Sequence, residues 1–207
     1  ERALFDNATE DEFGNFPQWI VAQRDELIAR KGALLWIDAD DPDLLSGVAT
    51  SKLSAHEKAS GNALRDYRKA IMNDDIAWSI IAVPSPKWAA KVFPQLPVEQ
   101  QITALWEAIF KATRVTTEDP VAAWTAHNEN LHTKVDYLNS KKYKALHYLA
   151  PGTDLTIELP EKHLWCGAGS ISEQGIEFMA NMPTEEVFTL PNRNGVNGIV
   201  SSTKPLS

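Results

Sequence analysis

Ala77-Trp78-Ser79-Ile80-Ile81-Ala82-Val83, closed by Pro84 and Pro86, is an apolar run of strand length with breakers directly behind it. It reads as a buried strand. Upstream of it, Ser54-Ala55-His56-Glu57 has the form of a capping box, in which Ser54 accepts from the Glu57 amide while Glu57 reaches back. That box predicts a helix from Ser54 to about Met72. Before the helix, Ala33 to Ile37 is a second apolar run, ended by the turn cluster Asp38-Ala39-Asp40-Asp41-Pro42, and it too reads as a buried strand. Strand, helix and strand in that order predict a parallel βαβ unit, right-handed by default.

Outward from this unit the pattern stays helical for a while. Phe16 to Lys31 places Trp19, Ile20, Leu27 and Ile28 near helical spacing, with Gly32 expected at C′ as the stop. Pro97 to Thr113 puts Ile102, Leu105, Trp106 and Ile109 on one face. Asp119-Pro120 supplies an N-cap and a proline at N1 for a helix through Trp124, Leu131 and Val135 towards Leu138. The texture changes near Lys141. Ala145 to Leu149, Asp154 to Leu159, Gly175 to Met179 and Glu186 to Leu190 are short alternating runs separated by Gly and Pro, expected to form antiparallel strands. The expected fold class is therefore α/β: α/β/α layers with a mainly parallel sheet over residues 1–143, then the start of a β-rich α+β portion over residues 144–207.

Charge and composition exclude several classes. Twenty Lys+Arg against 28 Asp+Glu leave a net charge of −8, so no nucleic-acid partner is expected, since phosphate-backbone binding rests on neutralising negative charge. No apolar run approaches the ~20 residues needed to span a bilayer, so no membrane partner is expected. Cys166 stands alone, which excludes an internal disulfide framework and a cysteine zinc knuckle, and fits a reducing, cytoplasmic setting. Asn7-Ala8-Thr9 matches a glycosylation sequon only by chance. The chain starts at Glu1 without an initiating Met and stops at Ser207 just after Lys204-Pro205-Leu206, which reads as a piece of a longer polypeptide.

Most of the familiar catalytic patterns fail on inspection. His56-Glu57 opens like HExxH, but Ser60 stands where the second zinc ligand must sit. Gly167-Ala168-Gly169 is half a dinucleotide fingerprint, with Ser172 in place of the third glycine. Ser201-Ser202-Thr203-Lys204 matches SxxK without its companion motifs, and a turn at Pro205 is the simpler reading. A serine hydrolase using Ser201 or Ser170 lacks the strand–GxSxG–helix elbow. His127 and His132 lie about 140° apart around their helix, badly placed to share a metal. They, His147 and His163 are read as hydrogen-bonded structural histidines. Cys166 is read as a small buried hydrophobe rather than a nucleophile.

Asn181-Met182-Pro183-Thr184-Glu185-Glu186-Val187-Phe188-Thr189 carries the strongest chemical signal. Two adjacent carboxylates enter a short apolar strand behind a Pro turn, and strand geometry sends consecutive side chains to opposite faces. One of them must then meet solvent, a cleft or a cation, and a divalent metal is a suitable partner for a carboxylate held near a core. A solvated pair at a sheet edge is the plain alternative.

Set in order, the strings Ala145-Leu146-His147-Tyr148, Gly152-Thr153-Asp154-Leu155-Thr156-Ile157, Leu159-Pro160, the Thr184-Glu185-Glu186 segment, Val196-Asn197-Gly198 and Ser202-Thr203-Lys204-Pro205-Leu206 closely resemble the dinuclear metalloaminopeptidases that include aminopeptidase T, aminopeptidase S and PepS. Pro84-Ser85-Pro86-Lys87-Trp88 and the Trp124…Asn128…Leu131…Leu138-Asn139 helix fit the same resemblance. Members are about twice this long, so the resemblance implies that residues 1–143 are an N-terminal domain lacking its first segment and residues 144–207 a truncated metal-binding domain. It implies two divalent ions (Zn, Co, Mn or Mg) in the full-length enzyme, with Glu185 as a ligand, Glu186 as the neighbouring catalytic carboxylate, and the other ligands beyond Ser207. The sequence leaves open which of the two glutamates plays which part. Peptide substrates, a homodimer and metal-assisted removal of N-terminal residues are implied as well, and the piece alone is expected to be inactive. The competing expectation is a non-catalytic α/β binding or oligomerisation module with Glu185 and Glu186 as surface residues.

Overall fold

A computed structural model describes residues 2–204. In chain order its elements are α1 (Arg2–Asn7), a 3-10 turn (Asp11–Gly14), α2 (Gln18–Ala29), β1 (Leu34–Asp38), α3 (Thr50–Ala63), α4 (Arg65–Met72), β2 (Trp78–Ala82), α5 (Pro86–Val92) and α6 (Val98–Ala112). There follow α7 (Pro120–Lys141), β3 (Ala145–Ala150), β4 (Thr153–Glu158), β5 (Cys166–Gly167), β6 (Ser170–Ile171), β7 (Glu177–Phe178), β8 (Asn181–Met182), β9 (Val187–Phe188) and β10 (Val196–Ile199). The fold is mixed α/β.

Two compact units interleave along the chain. The first runs up to Pro120 and takes in Gly169–Pro183; the second comprises Val121–Ala168 and the residues from Thr184 onward. This partition follows contacts in space, whereas the boundary at Tyr143 follows the texture of the sequence.

In the first unit the apolar runs pair as the βαβ reading requires. β1 and β2 are parallel from Leu34 opposite Trp78 to Asp38 opposite Ala82, and α3 and α4 connect them. The expectation missed the third strand: β8 lies on the other side of β2, also parallel, with Asn181 opposite Ile80 and Met182 opposite Ile81. Ile76, two residues before β2, and Ala89 of α5 are completely buried, and Leu105 of α6 is nearly so. Helix α5 was not anticipated, although Ser85-Pro86 encodes it: the Ser85 hydroxyl accepts from the Trp88 amide at 3.1 Å, and Pro86 occupies the first turn.

Three local expectations are corrected in this unit. Ser54 does not start a helix, because α3 already begins at Thr50 and Ala49 is its N-cap. The back-reaching glutamate of such a box occurs instead at Glu12, whose carboxylate accepts from both the amide (2.7 Å) and the hydroxyl (2.9 Å) of Thr9. At the end of α2, C′ is Lys31 at φ 51°, not Gly32. The Lys31 and Gly32 amides bond to the Ile28 and Leu27 carbonyls, the double closure of a Schellman motif. Gly32 sits one position later, where a Cβ would come within 2.6 Å of Leu27 Cδ1 and push that side chain aside. Finally, β1 is not buried: Leu35, Trp36 and Ile37 are at least half exposed, because among the described residues β1 is an edge strand with β2 alone beside it.

The second unit is built on α7. Its inward face carries Trp124, His127, Leu131, Val135 and Leu138 at helical spacing, with Leu131 only 2 % exposed. β3 and β4 form an antiparallel hairpin, and β10 adds to the far side of β4. A shorter antiparallel pair, β5 with β9, sets Cys166 opposite Phe188 and Gly167 opposite Val187. Cys166 is exposed rather than buried, because this two-stranded ladder has an open face. The expected turn at Pro205 lies outside the described residues. Before it, Ser202 folds back on the Lys204 backbone through its hydroxyl, inside the SxxK string.

Candidate functional site

The segment Thr184 to Thr189 is held by the second unit at several points, each through a backbone carbonyl or amide. Helix α7 supplies two of the clamps. From its first half, His127 Nε2 lies 2.8 Å from the Thr184 carbonyl oxygen. From its last turns, Asn139 bonds the Trp165 backbone twice, its amide donating to the carbonyl at 3.0 Å and its oxygen accepting from the N–H at 2.8 Å. Trp165 leads into β5, and β5 is the strand that pairs β9. A further bond ties the same two segments, from the Thr189 hydroxyl to the Leu164 carbonyl at 2.7 Å. The helix thus grips the carboxylate segment once directly and once through its partner strand.

Gly167 has its explanation here. A Cβ at that position would come within 2.7 Å of the Glu186 carbonyl oxygen, so only glycine lets β5 and β9 approach this closely. Half of a dinucleotide fingerprint turns out to be a sheet contact beside the paired acids.

Glu185 and Glu186 precede β9, which starts at Val187, so the alternation of strand side chains does not govern them. Both are exposed, while Thr184 just before them is only 7 % exposed. The Glu185 side chain is 53 % exposed, and one of its oxygens, Oε2, lies 3.4 Å from His127 Nε2, whose own side chain is 13 % exposed. Trp124 packs its ring edge-on to the His127 ring, at 5.5 Å between centroids and 80° between planes. A carboxylate on a backbone pinned from below and open above can offer an oxygen to a cation.

The other candidates are not brought to this place. His132 is exposed on α7. His147 pairs across the hairpin with Asp154 at 2.7 Å, both well exposed. His163 Nδ1 lies 2.7 Å from the Pro160 carbonyl, and His56 sits edge-on to Phe5 and Phe13 in the first unit. Ser170 lies in β6 opposite Phe178. Among the described residues, no three His, Cys, Asp or Glu side chains converge as a metal site, and no helix is long and apolar enough to cross a membrane. Among the described residues, then, the donors do not make up a complete coordination sphere for a metal.

The sequence matches the family described as thermophilic metalloprotease (M29) over residues 1–207. The chain belongs to that family. It is similar to aminopeptidase AmpS of Bacillus subtilis, 53 % identical over 195 residues, covering 94 % of this chain and 48 % of that relative. It is also similar to aminopeptidase 2 of Geobacillus stearothermophilus, 47 % identical over 203 residues, covering 98 % and 49 %. The structure of wild-type AmpT from Thermus thermophilus superposes with a TM-score of 0.87 at 39 % identity, covering 99 % of this chain and 50 % of that one. The chain spans about half the length of the curated relatives it matches. The M29 relatives are metallo-aminopeptidases, and the α/β architecture is the one the AmpT structure shares.

Proposed function

We propose that this chain is part of a metal-dependent aminopeptidase that hydrolyses N-terminal residues from peptides. The observation that carries the reading is the Glu185 carboxylate, half exposed on a segment clamped by α7, in a chain matched along its whole length by a metalloprotease family. Glu185 would hold a divalent ion. Two such ions (Zn, Co, Mn or Mg) would supply Lewis-acid chemistry toward the scissile carbonyl and toward water. Catalytic zinc usually takes three protein ligands, and no three such side chains converge among the described residues, so the ligands besides Glu185 would come from polypeptide beyond this chain.

Glu186 would be the catalytic carboxylate. Exposed and one residue from the ligand, it can take a proton from the attacking water and return it to the leaving amine. Residues 1–143 would then serve as an N-terminal α/β domain and residues 144–207 as the opening of the catalytic domain. A homodimer and a cytoplasmic setting complete the proposal, the second supported by the single cysteine.

The test is made in the full-length protein that carries this sequence. Glu185→Gln is expected to lower metal content, whereas Glu186→Gln keeps the metal and lowers kcat on an amino-acid anilide by about 10²–10⁴-fold, the usual range for a lost general base. Full metal content and turnover in both variants would overturn the proposal. Residues 1–207 alone are expected to show no hydrolysis.

A further inference from the structure

We infer that His127 is a positioning residue for Glu185: by pinning the Thr184 carbonyl and facing Glu185 Oε2, its ring sets the direction in which the carboxylate meets a cation. The inference rests on the reading of Glu185 as a ligand. It begins with the proton. A carbonyl oxygen only accepts, so the nitrogen 2.8 Å from Thr184 O must be the N–H of the ring. The same nitrogen also lies 3.4 Å from Glu185 Oε2, longer than a normal hydrogen bond but near enough to attract that oxygen. One donor thus acts on two consecutive residues, the carbonyl before the glutamate and the carboxylate itself.

The ring has little freedom to do otherwise. It projects from the inward face of α7, is mostly buried, and meets the Trp124 ring edge-on. With Oε2 drawn to the ring, the plane of the carboxylate is set before any cation arrives. Groups standing behind a ligand in this way typically change metal affinity by 10–100-fold when removed.

The sequence hides this contact, because 57 positions separate the histidine from the carbonyl it holds. Among the five histidines, His127 is the one set against the paired acids, and its spacing from His132 says nothing of that.

The experiment uses the full-length protein and Zn²⁺ alone, with affinity read by chelator competition. His127→Gln places an amide N–H near the position of Nε2, whereas His127→Asn stops short of it. The asparagine variant is expected to weaken Zn²⁺ binding by about 10–100-fold and the glutamine variant to recover most of that loss. In a Glu185→Gln background, the asparagine change is expected to add nothing further, since the two residues act as one unit. Equal affinity of the Asn variant and the wild type, with Glu185→Gln still losing metal, would overturn the positioning role and leave Glu185 as a ligand. An Asn effect that persists undiminished in the Glu185→Gln background would mark His127 as merely structural and would also overturn the inference. Unchanged affinity in Glu185→Gln itself would sink the ligand reading and this inference with it.

Discussion

Two places in the second unit set a histidine against a carboxylate, and they differ in everything except that pairing. On the β3–β4 hairpin, His147 and Asp154 approach to 2.7 Å with side chains 56 % and 74 % exposed. Behind β9, His127 and Glu185 stand farther apart, at 3.4 Å, yet the histidine is 13 % exposed and also grips a backbone carbonyl. Distance alone would rank the hairpin pair first. Environment reverses the ranking: an exposed pair is screened by water and salt, and its members lose side-chain entropy in meeting. The buried histidine is held by its helix whether or not the acid is there.

The largest difference between the two places should come from their scaffolding. Leu131→Ala removes a side chain that is 2 % exposed from the face of α7 that also carries His127. It is expected to destabilise the protein by about 2–5 kcal/mol, measured by denaturant unfolding. Asn139→Ala comes next. It leaves the Trp165 carbonyl and amide without the side chain that satisfies both, for a cost of about 1–3 kcal/mol. That variant should also loosen the β5–β9 ladder, visible as faster hydrogen exchange at Val187 and Phe188 than at β3 and β4. On the hairpin, Asp154→Asn should change stability by less than about 0.5 kcal/mol, and the effect should shrink further in high salt. A loss from Asp154→Asn as large as that from Asn139→Ala would remove the distinction between the two places.

The smallest effect belongs to Glu12, a fully exposed acid in the first unit. The Thr9 amide, and then the Thr9 hydroxyl, bond its carboxylate and lower its pKa below the usual glutamate value. A lowered folded-state pKa means that the contribution is complete above the unfolded pKa and is lost as pH falls through the folded one. An NMR titration should therefore show Glu12 releasing its proton at lower pH than an exposed glutamate, and Glu12→Gln should flatten the acid limb of the stability curve slightly.

Much of the first unit was legible because its signals are local. The runs around Leu35 and Ile80 are continuous, strand-length and bounded by turn residues, and they pair in parallel as the βαβ order implies. The helices from Gln18, Val98 and Pro120 follow apolar spacing that needs no knowledge of partners. What escaped depends on distance along the chain. β8 is two residues long and pairs with a strand 101 positions earlier, so no periodicity could announce it. Cys166 looked apolar enough to be buried, but only the open face of its ladder decides its exposure. The paired acids stood out because two adjacent carboxylates open a short apolar run behind a Pro turn, and a carboxylate held near a core calls for a partner. The histidine behind them did not, since helical spacing gives its face and not the loop that face will meet.

The central claim is that Glu185 is a metal ligand, and anomalous scattering from crystals of the full-length protein tests it most directly. With zinc bound, a peak is expected about 2.0–2.2 Å from a Glu185 carboxylate oxygen, with His127 still on the Thr184 carbonyl. Zinc held elsewhere, with the Glu185 carboxylate turned to solvent, would contradict the account.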